Sequence, residues 1–172
     1  YVLVARSDLP PNTIDELIAY ARERANRPLT YGSMGNGSMN HLAGEEFAAR
    51  TGTKLTHVPY KGGAPLVQDI VGGQLDMAFT PLSGNVPGLI ETGKLKSYGI
   101  TSATRLSKLK DMPTVNEGKT LNNFVYSIWV GPVVARSTPE PAVQRIREAF
   151  AASMKDEGVR KCLEGLGAVE GQ

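Results

Sequence analysis

The sequence predicts an α/β protein, a largely parallel sheet flanked by helices. Short β-branched apolar runs alternate with segments whose apolar residues recur at helical spacing. Glycine and proline separate nearly every pair of these segments. Alternation of this kind favours parallel strands joined by helices. The composition, 41% hydrophobic and 21% charged over 172 residues, is ordinary for a packed globular chain.

Each element has a local reason. Tyr1 to Ala5 reads as a buried strand, and a chain that opens within a strand is expected to have lost a segment upstream. Pro10 and Pro11 end that strand. Thr13-x-x-Glu16 reads as a capping box before Ile14, Leu17, Ile18 and Ala21, one face of a helix. Leu29 to Tyr31 is a strand leading into Gly32-Ser33-Met34-Gly35-Asn36-Gly37-Ser38. The following helix is expected to bury Met39, Leu42, Ala43 and Phe47. A strand over Leu55 to Tyr60 precedes the turn Lys61-Gly62-Gly63. Leu66, Ile70 and Val71 then form the inner face of a helix that Gly72-Gly73 stops.

Leu75 to Phe79 reads as a buried strand whose first acid, Asp76, needs a partner. A short helix over Val86 to Glu91 and a strand over Leu95 to Thr101 follow. Residues 102–123 lack periodicity, and Phe124 to Val133 reads as a strand. Thr138-Pro139-Glu140 starts a helix with Val143, Ile146 and Phe150 as its buried stripe. A last helix carries Val159, Leu163 and Leu166, with Cys162 expected to be buried among them.

The glycine-rich loop carries the most chemistry. Ser38 is placed to cap the next helix, which leaves the N–H groups of Met39, Asn40 and His41 in its first turn. Such amides, with the positive end of the helix dipole, form an anion site. Ser33, Asn36 and Ser38 add neutral partners, and no arginine or lysine lies in the loop. Neutral donors suit a carboxylate better than a dianionic phosphate. A tight turn with no ligand stays open as the plain structural reading. Tyr60, Lys61 and Gly62 stand at another strand end, where ligands of open sheets bind; a solvated lysine and a packed tyrosine are their simpler readings.

Other classes fit poorly. The net charge of +2 gives no basic footprint for nucleic acid. Two histidines and one cysteine make a metal site unexpected. The spacing G-x-x-G-x-G matches neither the dinucleotide fingerprint nor a P-loop, so no cofactor is expected. Ser38 and His41 lie three apart at one helix start with no G-x-S-x-G around either serine, which disfavours a catalytic triad. His41 is expected to support the loop by hydrogen bonding.

The segments YGSMGNGSMNHLAGEEF, HVPYKGGAPLVQDIVGGQLDMAF, GKLKSYGITSATR and MPTVNEG, with Trp129-x-Gly131 and Thr138-Pro139, resemble the substrate receptors of tripartite tricarboxylate transporters, the Bug proteins. The resemblance runs through nearly the whole chain. It implies a type II periplasmic-binding-protein fold of two α/β lobes that close on a carboxylate, an amino acid or an aromatic acid. It implies residues 1–5 as a crossing strand from the first lobe, 6–126 as the second lobe, and 127–172 as a return to the first. It also implies ligand contacts from Ser33, Gly35, Asn36, Gly37 and Ser38, from Tyr60, Lys61 and Gly62, and from Thr80 beside Pro81.

The partners it implies are a small carboxylate and membrane transporter subunits, in the periplasm. Half of the cleft would be contributed from outside this chain. The chain alone is then expected to bind weakly, and to expose apolar surface or self-associate. An α/β enzyme using the loop as an oxyanion site and a ligand-sensing domain are the alternatives.

Overall fold

A computed structural model describes residues 1–106, 109–127 and 131–165. Contacts divide the chain into two units, Tyr1–Ile128 and Trp129–Gln172. In the first unit the strands are β1 Val2–Arg6, β2 Leu29–Ser33, β3 Leu55–Pro59, β4 Met77–Thr80 and β5 Leu95–Ile100. The helices are α1 Ile14–Glu23, α2 Met39–Thr51, α3 Gly63–Val71 and α4 Val86–Glu91.

The strands form one sheet in the order β3-β2-β4-β1-β5. β2 runs parallel to β3 and β4, while β1 lies antiparallel between β4 and β5. Four strands therefore share one direction and β1 opposes them. β1 is bonded on both edges, and Val2 to Ala5 are fully buried. The β2–β3 register, from Leu29 opposite Leu55 to Ser33 opposite Pro59, ends both strands at the same level. β4 runs beside β2 in the same direction, so three carboxyl ends point to one edge.

Alternation along β1 divides the core into two layers. Leu3 and Ala5 face α1 and α2, where Leu17, Ile18, Ala21 and Phe47 meet Phe79 and Phe124. Val2 and Val4 face Leu66, Val67, Ile70 and Val86. The stripe expected on α1, Ile14, Leu17, Ile18 and Ala21, is buried. Its capping box is changed: Thr13 Oγ1 accepts the Glu16 N–H, but Glu16 reaches back to the N–H of Asn12.

Two helix faces depart from the sequence expectation. In α2 the buried residues are Asn40, Ala43, Gly44, Phe47 and Thr51, whereas Met39 and Leu42 are 38% and 47% exposed. The helix turns this way because Gly44 lets the Tyr31 ring approach; a Cβ there would lie 2.1 Å from Tyr31 Cε2. In α3, Val67 is buried and Val71 is exposed, the reverse of the expected order. Asp76 finds its partners in Arg6 Nε at 2.9 Å and in the N–H and hydroxyl of Thr30 at 2.8 and 3.0 Å.

The strand expected over Phe124 to Val133 is absent at 124–127 and at 131–133, and residues 128–130 lie outside the described residues. Phe124 is fully buried all the same. Its irregular backbone is tied by the side chain of Asn116, which accepts the Phe124 N–H at 2.7 Å and donates to its carbonyl at 3.1 Å. A single turn of 3-10 helix, Val115–Glu117, carries a complete capping box from Thr114 and Glu117.

The second unit contains α5 Glu140–Ser153 and α6 Glu157–Gly165. Thr138 does not cap α5; Pro139 holds that position. Nor is the stripe of α5 buried: Ile146 and Phe150 are 41% and 46% exposed, and Val143 is partly exposed. Cys162 is likewise exposed, against expectation. Among the described residues neither helix contributes to the buried hydrophobic clusters, so both stripes stay in water. Leu166 lies outside the described residues. No helix among the described residues is long and apolar enough to cross a membrane.

Candidate functional site

The loops that leave β2, β3 and β4 meet at the edge formed by their carboxyl ends. The Tyr60 N–H donates to the Ser33 carbonyl at 2.8 Å, joining the first two. A Cβ at Gly63 would lie 3.9 Å from the Met34 sulfur, so the glycine loop also touches the start of α3. Asn40, in the first turn of α2, donates from Nδ2 to the carbonyl of Phe79 and reaches the end of β4.

Ser33 organises the glycine loop from beneath. Its hydroxyl is buried, accepts the Gly35 N–H at 3.0 Å, and lies 3.1 Å from the Gly35 carbonyl and 2.6 Å from His57 Nε2. Ser38 caps α2 by accepting the His41 N–H, and its own hydroxyl donates to the Gly35 carbonyl at 2.7 Å. Gly35 and Gly37 have φ of +116° and +80°, backbone that L side chains rarely adopt, with nothing within 4 Å of a built Cβ. Glycine is needed here for the turn itself rather than for space.

The amide inventory decides what the loop can offer. The N–H groups of Gly35, Gly37, Ser38 and His41 are bonded within the loop, to Ser33 Oγ, His41 Nδ1, the Gly35 carbonyl and Ser38 Oγ. Among the described residues nothing accepts from the N–H groups of Asn36, Met39 and Asn40. Asn36 and Met39 are exposed. Asn40 is buried, and its Oδ1 has no partner among the described residues. Exposed donors at Asn36 and Met39, at the positive end of a 13-residue helix, favour an anion.

The remaining predicted residues hold varied positions. Tyr60 is half-buried, and its hydroxyl donates to Asp69 Oδ2 at 2.8 Å; burial and that carboxylate push it up to about 12. Lys61 is exposed, with no ion pair or side-chain hydrogen bond among the described residues. Gly62 precedes α3 directly. Thr80 is buried, paired with Val2 across the sheet. Gly35, Asn36, Gly37 and Ser38 thus share the loop, and Tyr60 to Gly62 adjoin it. The hydroxyls of Ser33 and Ser38 are already engaged within the fold.

Two side chains that sequence reasoning did not join lie under the loop. His41 supports it as expected, with Nδ1 accepting the Gly37 N–H at 3.2 Å. Its ring stands 4.2 Å from that of His57, which in turn faces Tyr31 at 5.0 Å. Glu45 completes the cluster: it accepts from the Tyr31 hydroxyl and lies 4.0 Å from His41 Nε2. The parallel register, which sets His57 opposite Tyr31, was the only available signal. Ser33 and His57 form a hydroxyl–imidazole pair, yet a hydroxyl with no solvent access cannot attack a substrate.

Burial, and then the neighbouring His41, lower the basicity of His57 below its ordinary value of 6.5, against a smaller opposing pull from Glu45. The folded state thus binds that proton less readily than the unfolded chain. Stability contributed by neutral His57 is present above pH 6.5 and is lost as pH falls below it, where the unfolded chain protonates first. Urea titrations across this window should show a falling midpoint for the parent chain and a flatter profile for His57→Gln. Equal slopes would remove His57 as the cause.

The edge beyond the carboxyl ends of parallel strands, where these amides lie, is where open α/β sheets bind ligands. The chain belongs to the tripartite tricarboxylate transporter receptor family, whose model matches residues 1–170. It is 34% identical over 167 residues to the UPF0065 protein of the TAR-I ttuE-ttuC' intergenic region of Agrobacterium vitis, covering 97% of this chain and 47% of the relative. The periplasmic binding protein BugD matches with a TM-score of 0.85 and 32% identity, over 96% of this chain and 55% of its own. MatC from Rhodopseudomonas palustris, solved with bound malate, matches with a TM-score of 0.86 and 29% identity, over 98% and 56%. The chain spans about half the length of these relatives.

Proposed function

We propose that this chain is part of an extracytoplasmic, non-catalytic receptor that captures a small carboxylate for a tripartite tricarboxylate-type transporter. The observation that carries the reading is the set of unclaimed amides at Asn36, Met39 and Asn40, beside a helix start and without a cationic side chain in the loop. A carboxylate held by neutral donors fits such a site, and bridging water can complete it. Met34, Met39 and Leu42, in the same loop and helix start, are each at least 38% exposed apolar side chains. Malate in a relative of the same fold supports the ligand class, and the name of the BugD relative supports the periplasm.

In this reading Tyr1 to Ala5 is a crossing strand, residues 6–126 form one lobe, and residues 127–172 return to the other. The exposed stripe of α5 then meets that other lobe in the whole receptor, and its exposure favours self-association of the chain by itself. Ser33, Gly35, Gly37 and Ser38 shape the loop, Asn36 offers its amide, and Tyr60, Lys61, Gly62 and Thr80 border the ligand.

Titration of the 15N-labelled chain with malate tests the proposal. Saturable shifts at the amides of Asn36, Met39 and Asn40 are expected at millimolar concentration, with none from the neutral diamide of the same acid. Still amides at these three positions would overturn the reading, and turnover of the acid would replace it with an enzyme.

A further inference from the structure

At the edge opposite the loops, the last residue of β1, the end of α1 and the start of β2 surround a cavity of about 270 Å³. Arg6, Tyr20, Arg24, Arg27, Leu29 and Asp76 line it. Three arginines and one aspartate line it, and the aspartate carboxylate is engaged. Asp76 Oδ1 takes Arg6 Nε, and Oδ2 takes the N–H and hydroxyl of Thr30. Arg6 is paired a second time, with Asp8 at 2.6 Å.

Arg24 and Arg27 differ from Arg6. The Arg24 guanidinium lies over the Tyr20 ring, 4.2 Å from its centroid. Neither side chain makes an ion pair or hydrogen bond among the described residues. Arginines near a helix C-terminus ordinarily bond its free carbonyls. Among the described residues the hydrogen bonds made by these two arginines are main-chain ones, Arg24 N–H to the Ala21 carbonyl and Arg27 N–H to the Arg24 carbonyl. Arg22, the basic residue in the last turn of α1, spends its Nε on the Thr51 carbonyl instead. Two arginines that line the cavity thus keep their guanidinium forks open, one of them lying over an aromatic ring.

We infer that this cavity is a second anion site, which binds the oxyanion group of a small molecule, a phosphate or a carboxylate, between Arg24 and Arg27. The planar fork matches two oxygens of either group at once. Stacking on Tyr20 orients Arg24 before the anion arrives. The volume of about 270 Å³ admits a small acid. The site is independent of the amide loop at the other edge of the sheet.

The 15N-labelled chain should be titrated with inorganic phosphate and, separately, with succinate, each against sodium chloride at matched ionic strength. Saturable shifts are expected at the amides of residues 24–27, 29 and 30 and at the Nε–H groups of Arg24 and Arg27. The double substitution Arg24→Ala, Arg27→Ala should weaken the response about tenfold or more. Arg24→Lys, which keeps the charge and loses the plane, should weaken it less. A response to phosphate alone, to succinate alone or to both assigns the anion.

Linear shifts equal to those from chloride would overturn the site. So would saturation unchanged in the double variant, or shifts confined to residues 36, 39 and 40. Should the double variant lose its dispersed spectrum, Tyr20→Leu replaces it: weaker binding with the remaining resonances in place supports the site, and unchanged binding rejects it.

Discussion

Phe124→Ala is expected to destabilise the first unit by about 3–5 kcal/mol, the range for truncating a fully buried phenylalanine. The ring is 0% exposed. It packs edge-on against Phe47 at 6.4 Å and tilted against Phe79 and Tyr126 at 5.5 and 4.9 Å. Its backbone makes no strand, so the loss would come from the side chain and the cavity it leaves. Urea denaturation would report the change as a lower midpoint at unchanged slope. Phe150→Ala, the same truncation on the exposed stripe of α5, should change stability by less than about 0.5 kcal/mol. A Phe124 effect as small as the Phe150 effect would mean that the segment after Asn123 is not part of the core.

Asp76→Ala should cost about 2–3 kcal/mol, for a different reason. One carboxylate holds three chain segments: Arg6 at the end of β1, Thr30 in β2, and its own position at the start of β4. Removing it leaves the Thr30 N–H without its acceptor and takes away one of the two partners of Arg6. Because Arg6 keeps Asp8 and is 25% exposed, the cost stays below that of a fully buried broken pair. Asp76→Asn should lose less than half as much, since an amide oxygen can still accept from Thr30. Equal losses for both substitutions would show that the charge alone matters; no loss from either would show that the clasp holds nothing.

These two residues mark where reading the chain succeeded and where it stopped. Asp76 was legible as an acid opening a buried strand that needed a partner, though which partner depended on a sheet in which β1 opposes its neighbours. Phe124 was read as part of a strand because apolar and β-branched residues follow it. The structure instead buries its side chain and leaves its backbone to Asn116. Local pattern records which side chains prefer to leave water, not which ladder will receive their backbone. Cys162, Ile146 and Phe150 failed the same way: each lies on an apolar stripe, and burial of a stripe depends on what faces it.

The candidate site divides along similar lines. Glycines flanked by a strand and a helix, the Ser38 cap and the absence of a cation are local properties, readable from residues 31–41 alone. Which amides stay open is not local. Gly37 gives its N–H to an imidazole and Gly35 gives its own to Ser33, whereas those of Asn36, Met39 and Asn40 find no acceptor among the described residues. The pairing of Ser33 with His57, and of His57 with His41, depended on strand register.

By itself, the sequence determined the alternation of strands and helices, the caps and breaks between them, and an uncharged glycine turn at a helix start, since each follows from backbone preference over a few residues. Only the tertiary structure decided the reversed direction of β1, the face that α2 buries and the donors that remain free. Those outcomes depend on contacts between residues far apart in the chain, where packing and hydrogen bonding override local preference.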